Sequence, residues 1–303
     1  MPTSFSPLPD DPRVSIVICT FNRSRDLRRA LASLGRLTYP NLEVIVVDNR
    51  STDETAQVIA EFPVKGIREE RQGLSFARNR GVEAAEGDLI LFFDDDITVE
   101  CDAYVEPLVA LFRSDPRIGV AGGLIRCAQV GRGNARFAAM FLAAYGQDYG
   151  PETRVFDEMA VLMGASLMYR RDAIGEDRFN PDLGRCGRVL LEQEELELSK
   201  RIAAKGWRSA YCPQAVVTHW ISGTRFTWKF VLRHQFYVGL SEYMVRGFPH
   251  WKRGWRQPVS DISEILLSAV TFRRERFRRR MMRGAHSLGL LWGLLSRKSH
   301  RAR

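Results

Sequence analysis

The sequence contains no run of about 18 consecutive apolar residues, so an ordinary membrane-spanning helix is not expected. It has five cysteines, Cys19, Cys101, Cys127, Cys186 and Cys212, odd in number, far apart and with no CxxC pair. That pattern suits buried thiols in a reducing compartment and argues against a disulfide framework or a zinc site. No GxGxxG motif follows the first apolar run and no Walker lysine motif is present, which removes most support for dinucleotide dehydrogenases and P-loop hydrolases. Gly131 and Gly133 lack the strand-turn-helix context such a motif needs. Residues 1–12 have neither a basic stretch nor an apolar core of the secretory kind, and they read as a flexible lead-in.

What is present is a chain of 303 residues with 45% apolar content, enough for a substantial core in one large domain or two smaller ones. The net charge of +9 is unevenly distributed. From Arg225 onward 18 Lys and Arg face 4 Asp and Glu, whereas the preceding part holds 27 against 32. An acidic body with a basic tail suggests a catalytic domain followed by a segment that meets phosphates, of nucleic acid or of lipid headgroups.

The first 123 residues alternate between strand-like and helix-like patterns. Strands are expected at 14–19, 42–47, 64–69, 89–93 and 118–121. Helices are expected at 25–34, from Ser51 or Thr52 to Phe62, at 75–85 and at 103–112. Strands separated by helices of this length imply a doubly wound, mostly parallel α/β sheet with helices on both faces.

Ligands of such sheets bind at the C-terminal ends of the strands. There the central strand, Leu89 to Phe93, runs into Asp94, Asp95 and Asp96. Adjacent carboxylates repel one another, so a cation among them is expected. If the extended geometry continues, Asp94 and Asp96 share one side and Asp95 takes the other. A hard divalent cation, with a bound polyphosphate completing its shell, fits such a pair. The first strand ends in Thr20-Phe21-Asn22-Arg23 and the second in Asp48-Asn49-Arg50. Asp48 is a candidate acceptor for a base or ribose, while Ser51, Thr52 and Asp53 read as helix-capping residues. Arg78 is either a phosphate clamp or a surface ion-pair partner.

VSIVICTFNR, then EVIVVDNRSTDET, then GLSFARNRGVEAAEGDLILFFDDD resembles, in that order, the family 2 glycosyltransferases, nucleotide-sugar enzymes of the GT-A fold. The likeness continues through MGASLMYRRDAI, LEQEELELSKRIAAKGW and AYCPQAVVTHW, and covers about residues 13 to 220. It implies that Thr20, Asn22 and Asp48 line the nucleotide pocket, that Arg78 lies near the donor, and that Asp94 to Asp96 form the DXD-type motif.

Leu191 to Ala204 reads as a helix with Glu194, Glu195 and Glu197 crowded near its start, where the helix dipole stabilises acids. The resemblance maps the family's Glu-Asp pair onto Glu194 and Glu195. The base is usually the Asp, so Glu195 stands in its place, with Glu194 and Glu192 as the other candidates. Ser166 stands where relatives often carry Asn. By the same likeness His219 completes a metal site with Asp96 and Asp94, for Mg²⁺ or Mn²⁺. The implied reaction is inverting transfer from a nucleoside-diphosphate sugar, a UDP-sugar foremost, to an acceptor hydroxyl.

Beyond residue 224 the pattern changes. Residues 13–123 read as the nucleotide-sugar half and 124–224 as the acceptor half of one GT-A domain; 225–303 reads as a helical, basic extension. Arg225 to Arg246 interleaves aromatic and basic residues, and Gly247 to Gly254 reads as a break with Trp251 and Trp255 nearby. Ile262 to Phe272 and Leu288 to Leu295 read as two apolar helices separated by the run Arg273 to Arg283. Such segments suit an anionic membrane surface, contacted through 258–303, and no nucleic acid is expected. The expectation is a cytoplasmic enzyme, peripheral at the inner face of the membrane, acting on a lipid-linked or envelope glycan. The alternative is a non-catalytic nucleotide-binding or nucleic-acid-associated relative.

Overall fold

The computed structural model describes residues 5–131, 142–157, 160–246 and 274–300. Two compact units divide the chain: residues 1–181 with 194–223, and residues 182–193 with 224–303.

The first unit is an α/β sheet with helices on both faces. In chain order its main elements are β1 (Val14–Thr20), α1 (Ser24–Leu34), β2 (Leu42–Asp48), α2 (Thr55–Ala60), β3 (Lys65–Arg68), α3 (Leu74–Ala84), β4 (Leu89–Phe93) and β5 (Ile97–Val99). They are followed by α4 (Val105–Ser114), β6 (Ile118–Val130), β7 (Arg154–Phe156), β8 (Ser166–Arg170), α5 (Arg171–Ile174), α6 (Glu194–Ala204) and β9 (Arg208–Ser222).

Among the described residues the strands lie in the order β3-β2-β1-β4-β8-β6-β9-β5, with β7 added to β9. The first four are parallel; β8 enters antiparallel between β4 and β6, and β6 and β9 are parallel. Strand periodicity sorts the core into two layers. Ile16, Ile18, Leu91 and Phe93 pack with α1 and α4 through Leu27, Leu31, Leu108 and Phe112. Val17, Ile45, Ile90 and Phe92 face the other way, onto Ala77, Val82, Leu198 and Ile202 of α3 and α6.

The order and type of the early elements match the expectation. Most boundaries agree within two residues, and two differ by more: α2 covers only Thr55–Ala60, and the strand expected at 118–121 runs on to Val130 because β9 pairs with it throughout. The helix expected from Leu191 begins at Glu194, directly after Gln193, whose positive φ of 73° turns the chain.

The second unit contains α7 (Trp228–Arg246) and α8 (Arg274–His300). Gly239 and Gly289 sit where the two helices touch backbone to backbone, His286 against Gly239 and Phe236 against Gly289, so closely that neither position has room for a Cβ. The segment 182–193 is tied to α7: His234 Nε2 lies 3.0 Å from Glu192 Oε2, and the Glu192 N–H donates to Ser241 Oγ at 3.0 Å. The described part of the arginine run and the block Leu288 to Leu295 form one continuous helix rather than a charged break before a short apolar helix. Helical backbone tolerates arginine as well as leucine, so a change of polarity along the chain does not end it. The expected break at 247–254 and apolar block at 262–272 lie outside the described residues.

Candidate active site

The strand ends converge at one edge of the sheet, and the side chains gathered there are mostly charged. β4 stops at Phe93; the Asp94 N–H donates to the Ala165 carbonyl at 2.8 Å, and the chain then turns, with the Ile97 N–H returning to the Asp94 carbonyl. Because extension ends there, the three aspartates do not alternate as a strand would place them. Asp94 faces Arg78 Nη2 at 3.7 Å. Asp95 and Asp96 are both buried and share one guanidinium, that of Arg23, whose Nη1 reaches Asp95 Oδ1 at 2.7 Å and whose Nη2 reaches Asp96 Oδ2 at 2.8 Å.

Burial pushes the Asp95 carboxyl up to about 7, with Asp96 and Asp94 adding to the rise while Arg23 and the Thr20 hydroxyl oppose it. Thr20, the last residue of β1, donates from Oγ1 to Asp95 Oδ2 at 2.7 Å, so it orients an acid of the cluster. Burial would lower the proton affinity of Arg23, but the two aspartates outweigh it and hold the guanidinium charged.

His219 lies in register with Ile97 across β5 and β9, and its Nε2 lies 3.3 Å from Asp96 Oδ1. Its Nδ1 is 3.0 Å from the Tyr145 carbonyl, which only an N–H can satisfy. In the neutral ring Nε2 is then bare, and two lone pairs face each other unless a proton or a cation lies between them. Two donors held at right angles by bonds of about 2.1 Å are about 3 Å apart, so this pair fits a small divalent cation. No three His, Cys, Asp or Glu side chains among the described residues gather into a metal-holding set. Asp96 and His219 are brought together, Asp94 is turned away, and the remaining ligands of an ion would have to come from a bound molecule.

Arg78 is not at the surface, and its guanidinium is engaged within the chain. It is buried against the faces of Phe92 and Phe179, its Nη1 bonds Glu194 Oε1 at 2.6 Å, and its Nη2 bonds the Gly164 carbonyl at 3.3 Å. Glu195 Oε2 stands 4.0 Å from Arg78 Nη1. One guanidinium therefore joins the acidic turn after β4 to the acidic start of α6, and Arg78 itself lies 116 residues from its Glu194 partner. Glu194 is sealed in, with 4% of its side chain exposed, whereas Glu195 keeps 21%. Gly164 leaves the room this requires: a Cβ there would lie 3.0 Å from both the Glu195 carboxyl carbon and Arg78 Nη2.

The β2 end forms the neighbouring wall. Asp48 accepts the Ser51 N–H at 2.8 Å and Arg68 Nη1 at 3.1 Å. Asn22, at a positive φ of 52°, joins the two loops: its N–H donates to Ser51 Oγ and its Oδ1 accepts the Thr52 N–H. Asp53 caps as expected, but at two helix starts, accepting the N–H groups of Thr55 and Ser24.

Two roles at the site were not anticipated. Arg23 follows directly on Asn22 at the strand end, but its partners lie 72 and 73 residues away. Gly164, in the MGAS run, gives no sign in the sequence that Glu195 lies opposite it.

Residues 15–177, more than half of the chain, match the family described as Glycosyl transferase family 2. A glucosyl-dolichyl phosphate glucuronosyltransferase of Haloferax volcanii is 27% identical over 239 residues, 76% of this chain and 76% of the relative. A GalNAc(5)-diNAcBac-PP-undecaprenol beta-1,3-glucosyltransferase of Campylobacter jejuni is 32% identical over 92 residues, 28% of this chain and only 30% of the relative. The solved structure of the mannosyltransferase PcManGT from Pyrobaculum calidifontis, in complex with GDP-Man and Mn²⁺, superimposes with a TM-score of 0.63. It is 17% identical and is matched over 96% of this chain and 91% of that one, a likeness of fold. With its GT-A sheet and its matched motifs, the chain belongs to glycosyl transferase family 2 and is a glycosyltransferase.

Proposed function

We propose that this glycosyltransferase moves a sugar, with inversion, from a nucleoside-diphosphate sugar to a hydroxyl of a lipid-linked or cell-envelope glycan, assisted by Mg²⁺ or Mn²⁺. The observation that carries the reading is the convergence of Asp94, Arg78, Glu194 and Glu195 at the strand ends. The acidic turn of the donor half and a base candidate thereby stand on either side of one buried arginine.

Glu195 is the better base of the two acids at the start of α6. Glu194 is committed to Arg78 at 2.6 Å and is sealed from solvent, while Glu195 is the more exposed. Glu195 takes the proton of the acceptor hydroxyl as that oxygen bonds to the anomeric carbon. The bond from that carbon to the diphosphate oxygen breaks on the opposite face, and its electron pair leaves with the nucleoside diphosphate. Asp48, Asn22 and Thr20 shape the nucleotide wall. Asp96 and His219 would hold a divalent cation, which when bound neutralises charge on the departing diphosphate.

Lipid-linked acceptors are supported by the names of two relatives, one a dolichyl phosphate enzyme and one an undecaprenol enzyme. UDP-sugars were the first expectation for the donor, and the neighbouring GDP-Man complex adds GDP-sugars to the set to be tried. Attachment to an anionic membrane surface through 258–303, at the cytoplasmic face, fits two features of α8. Leu288 and Trp292 are 50% and 58% exposed, four residues apart on one helical face, and the arginine run precedes them. No helix among the described residues is long and apolar enough to cross a membrane.

The test is a panel of UDP- and GDP-sugars offered with and without Mn²⁺, read as thermal stabilisation, followed by transfer to polyprenyl-linked and to small soluble acceptors. A stabilising donor that needs the metal, and transfer to the lipid-linked acceptor, is the expected result. Equal donor binding in chelator would overturn the metal assignment, and transfer to soluble metabolites alone would overturn the acceptor class.

A further inference from the structure

The cation expected among the aspartates belongs to the chain itself. Arg23 spans Asp95 and Asp96 with its two terminal nitrogens, at 2.7 and 2.8 Å. Of the other oxygens of these acids, Asp95 Oδ2 accepts the Thr20 hydroxyl and Asp96 Oδ1 lies 3.3 Å from His219 Nε2. Of the three side chains Arg23 is the one that reaches solvent, 28% exposed against 5% and 2% for the acids. It therefore lies over the carboxylates on their open side.

It also has a second anchor. Asp26, in the first turn of α1, accepts Arg23 Nη2 at 3.0 Å and Nε at 3.3 Å, and is itself held by Arg29 at 2.7 Å. The backbone of Arg23 is fixed, since its carbonyl takes the Leu27 N–H at the start of α1. Release from Asp95 and Asp96 would thus need only side-chain rotation, with Asp26 still in contact.

A divalent cation at Asp96 and His219 would face this guanidinium as a like charge competing for the same carboxylate. A diphosphate changes the balance, because it brings the negative charge and the paired oxygens that a guanidinium binds in bidentate fashion.

We infer that Arg23 is a resident counter-cation: it holds Asp95 and Asp96 while the donor is absent, and yields Asp96 to a divalent ion when a diphosphate arrives to receive the guanidinium. The inference rests on the metal reading proposed above. Its consequence is that metal and nucleotide bind cooperatively, each raising the affinity of the other by the same factor.

The experiment titrates full-length protein with Mn²⁺, alone and with saturating UDP or GDP, and follows free Mn²⁺ by electron paramagnetic resonance. The wild type should bind Mn²⁺ weakly alone and about tenfold or more tightly with the nucleotide. Arg23→Gln should bind Mn²⁺ alone about tenfold more tightly than the wild type, and the coupling to nucleotide should shrink accordingly. A folded Arg23→Gln protein whose Mn²⁺ affinity is unchanged or weaker would overturn the inference and leave Arg23 a structural clamp.

Should Arg23→Gln fail to fold, Arg23→Lys and Asp26→Asn decide the matter. Lysine keeps the charge but cannot span both acids, so Mn²⁺ alone should bind more tightly. Loss of the Asp26 anchor should weaken Mn²⁺ binding and leave the fold intact. Unchanged Mn²⁺ affinity in both variants would overturn the inference. A wild type that takes up no Mn²⁺ in either state contradicts the metal reading itself. Arg23 would then keep its assigned role only if Arg23→Gln gains Mn²⁺ binding that the wild type lacks, and would lose it otherwise.

Discussion

The two ends of the parallel strands both carry ionised side chains and treat them in opposite ways. At the N-terminal ends, Ser15 of β1 donates to Glu43 of β2 and accepts the Gly87 N–H at 2.8 Å. Glu43 also accepts the Glu86 N–H at 2.7 Å and Arg13 at 3.2 Å, and Asp88 accepts the Arg13 N–H at 2.8 Å. Arg171 donates to the carbonyls of Gly87 and Ala85, both at 2.6 Å. The charges of Arg13, Glu43, Asp88 and Arg171 there are met by main-chain groups or by a partner side chain.

At the C-terminal ends five carboxylates, of Asp94, Asp95, Asp96, Glu194 and Glu195, share two guanidiniums, those of Arg23 and Arg78. Glu194 Oε2 is buried with no hydrogen-bond partner among the described residues. The backbone is unusual there as well, with Asn22 and Arg50 at φ values of 52° and 65°. Holding non-glycine residues in that region costs free energy and is common at functional sites. The comparison teaches that one sheet edge is finished as structure, whereas the other is left with surplus negative charge for a ligand to complete.

The largest contrast should come from the acids themselves. Glu195→Gln keeps the shape of the site and should fold and bind donor normally, while single-turnover transfer falls by at least about 10²-fold, the scale of lost general-base catalysis. Near-normal turnover would move the role to Glu194 or Glu192. Asp96→Ala should instead weaken metal-dependent donor binding, read by calorimetry with and without chelator.

A matched pair of glycine substitutions sharpens the comparison further. In Gly164→Ala the new methyl would meet Glu195 and Arg78 at 3.0 Å, and both are side chains that can give way. A displacement of a few tenths of an ångström at the base should lower transfer by about tenfold with little change in Tm. In Gly87→Ala the methyl would meet the Ser15 nitrogen at 2.6 Å and the Arg13 carbonyl at 2.7 Å, which are backbone atoms that cannot move without breaking the sheet. That variant should lose about 1–3 kcal/mol of stability and keep its turnover per folded molecule. If both glycines damage activity equally, the division of labour between the two ends is wrong.

The limits of sequence reading follow the same contrast. The β1, β2 and β4 strands and the helices between them were legible because side-chain periodicity is a local property, and the triple aspartate was legible because the apolar run stops so sharply. Glu194 and Glu195 became candidates through the family likeness, since acids at a helix start are ordinary capping chemistry. Arg78 read as a surface residue when taken alone, because nothing near it in sequence announces Glu194. Arg23 was legible as a strand-end residue, but its pairing with Asp95 and Asp96 was not, for the same reason, and the continuation of β6 to Val130 depended on a partner strand some 90 residues away. What failed to show was pairing at long range, which is where this site is assembled.

The smallest expected effect belongs to Glu43 at the structural end. Burial alone would raise its carboxyl, but the Ser15 hydroxyl, the Glu86 N–H and the charges of Arg13 and Lys65 outweigh that and hold it below the ordinary range. With a lowered value in the folded state, the unfolded chain binds the proton more readily. The stability contributed by Glu43 is thus complete above the ordinary carboxylate value of about 4.3 and is lost as pH falls through the folded value. Glu43→Gln removes the charge but keeps an oxygen for Ser15, so it should cost about 1–2 kcal/mol at neutral pH, the scale of a charged hydrogen bond. As pH falls through the folded value of Glu43 the two proteins should converge, because the wild-type carboxyl then takes up its proton. Thermal denaturation of both from pH 7 down to pH 3, with transfer activity measured at pH 7, checks this. A stability gap that does not narrow as pH falls below the ordinary carboxylate value would mean that Glu43 acts through packing and not through its charge, and a loss of activity at pH 7 would mean that the two ends of the sheet are coupled.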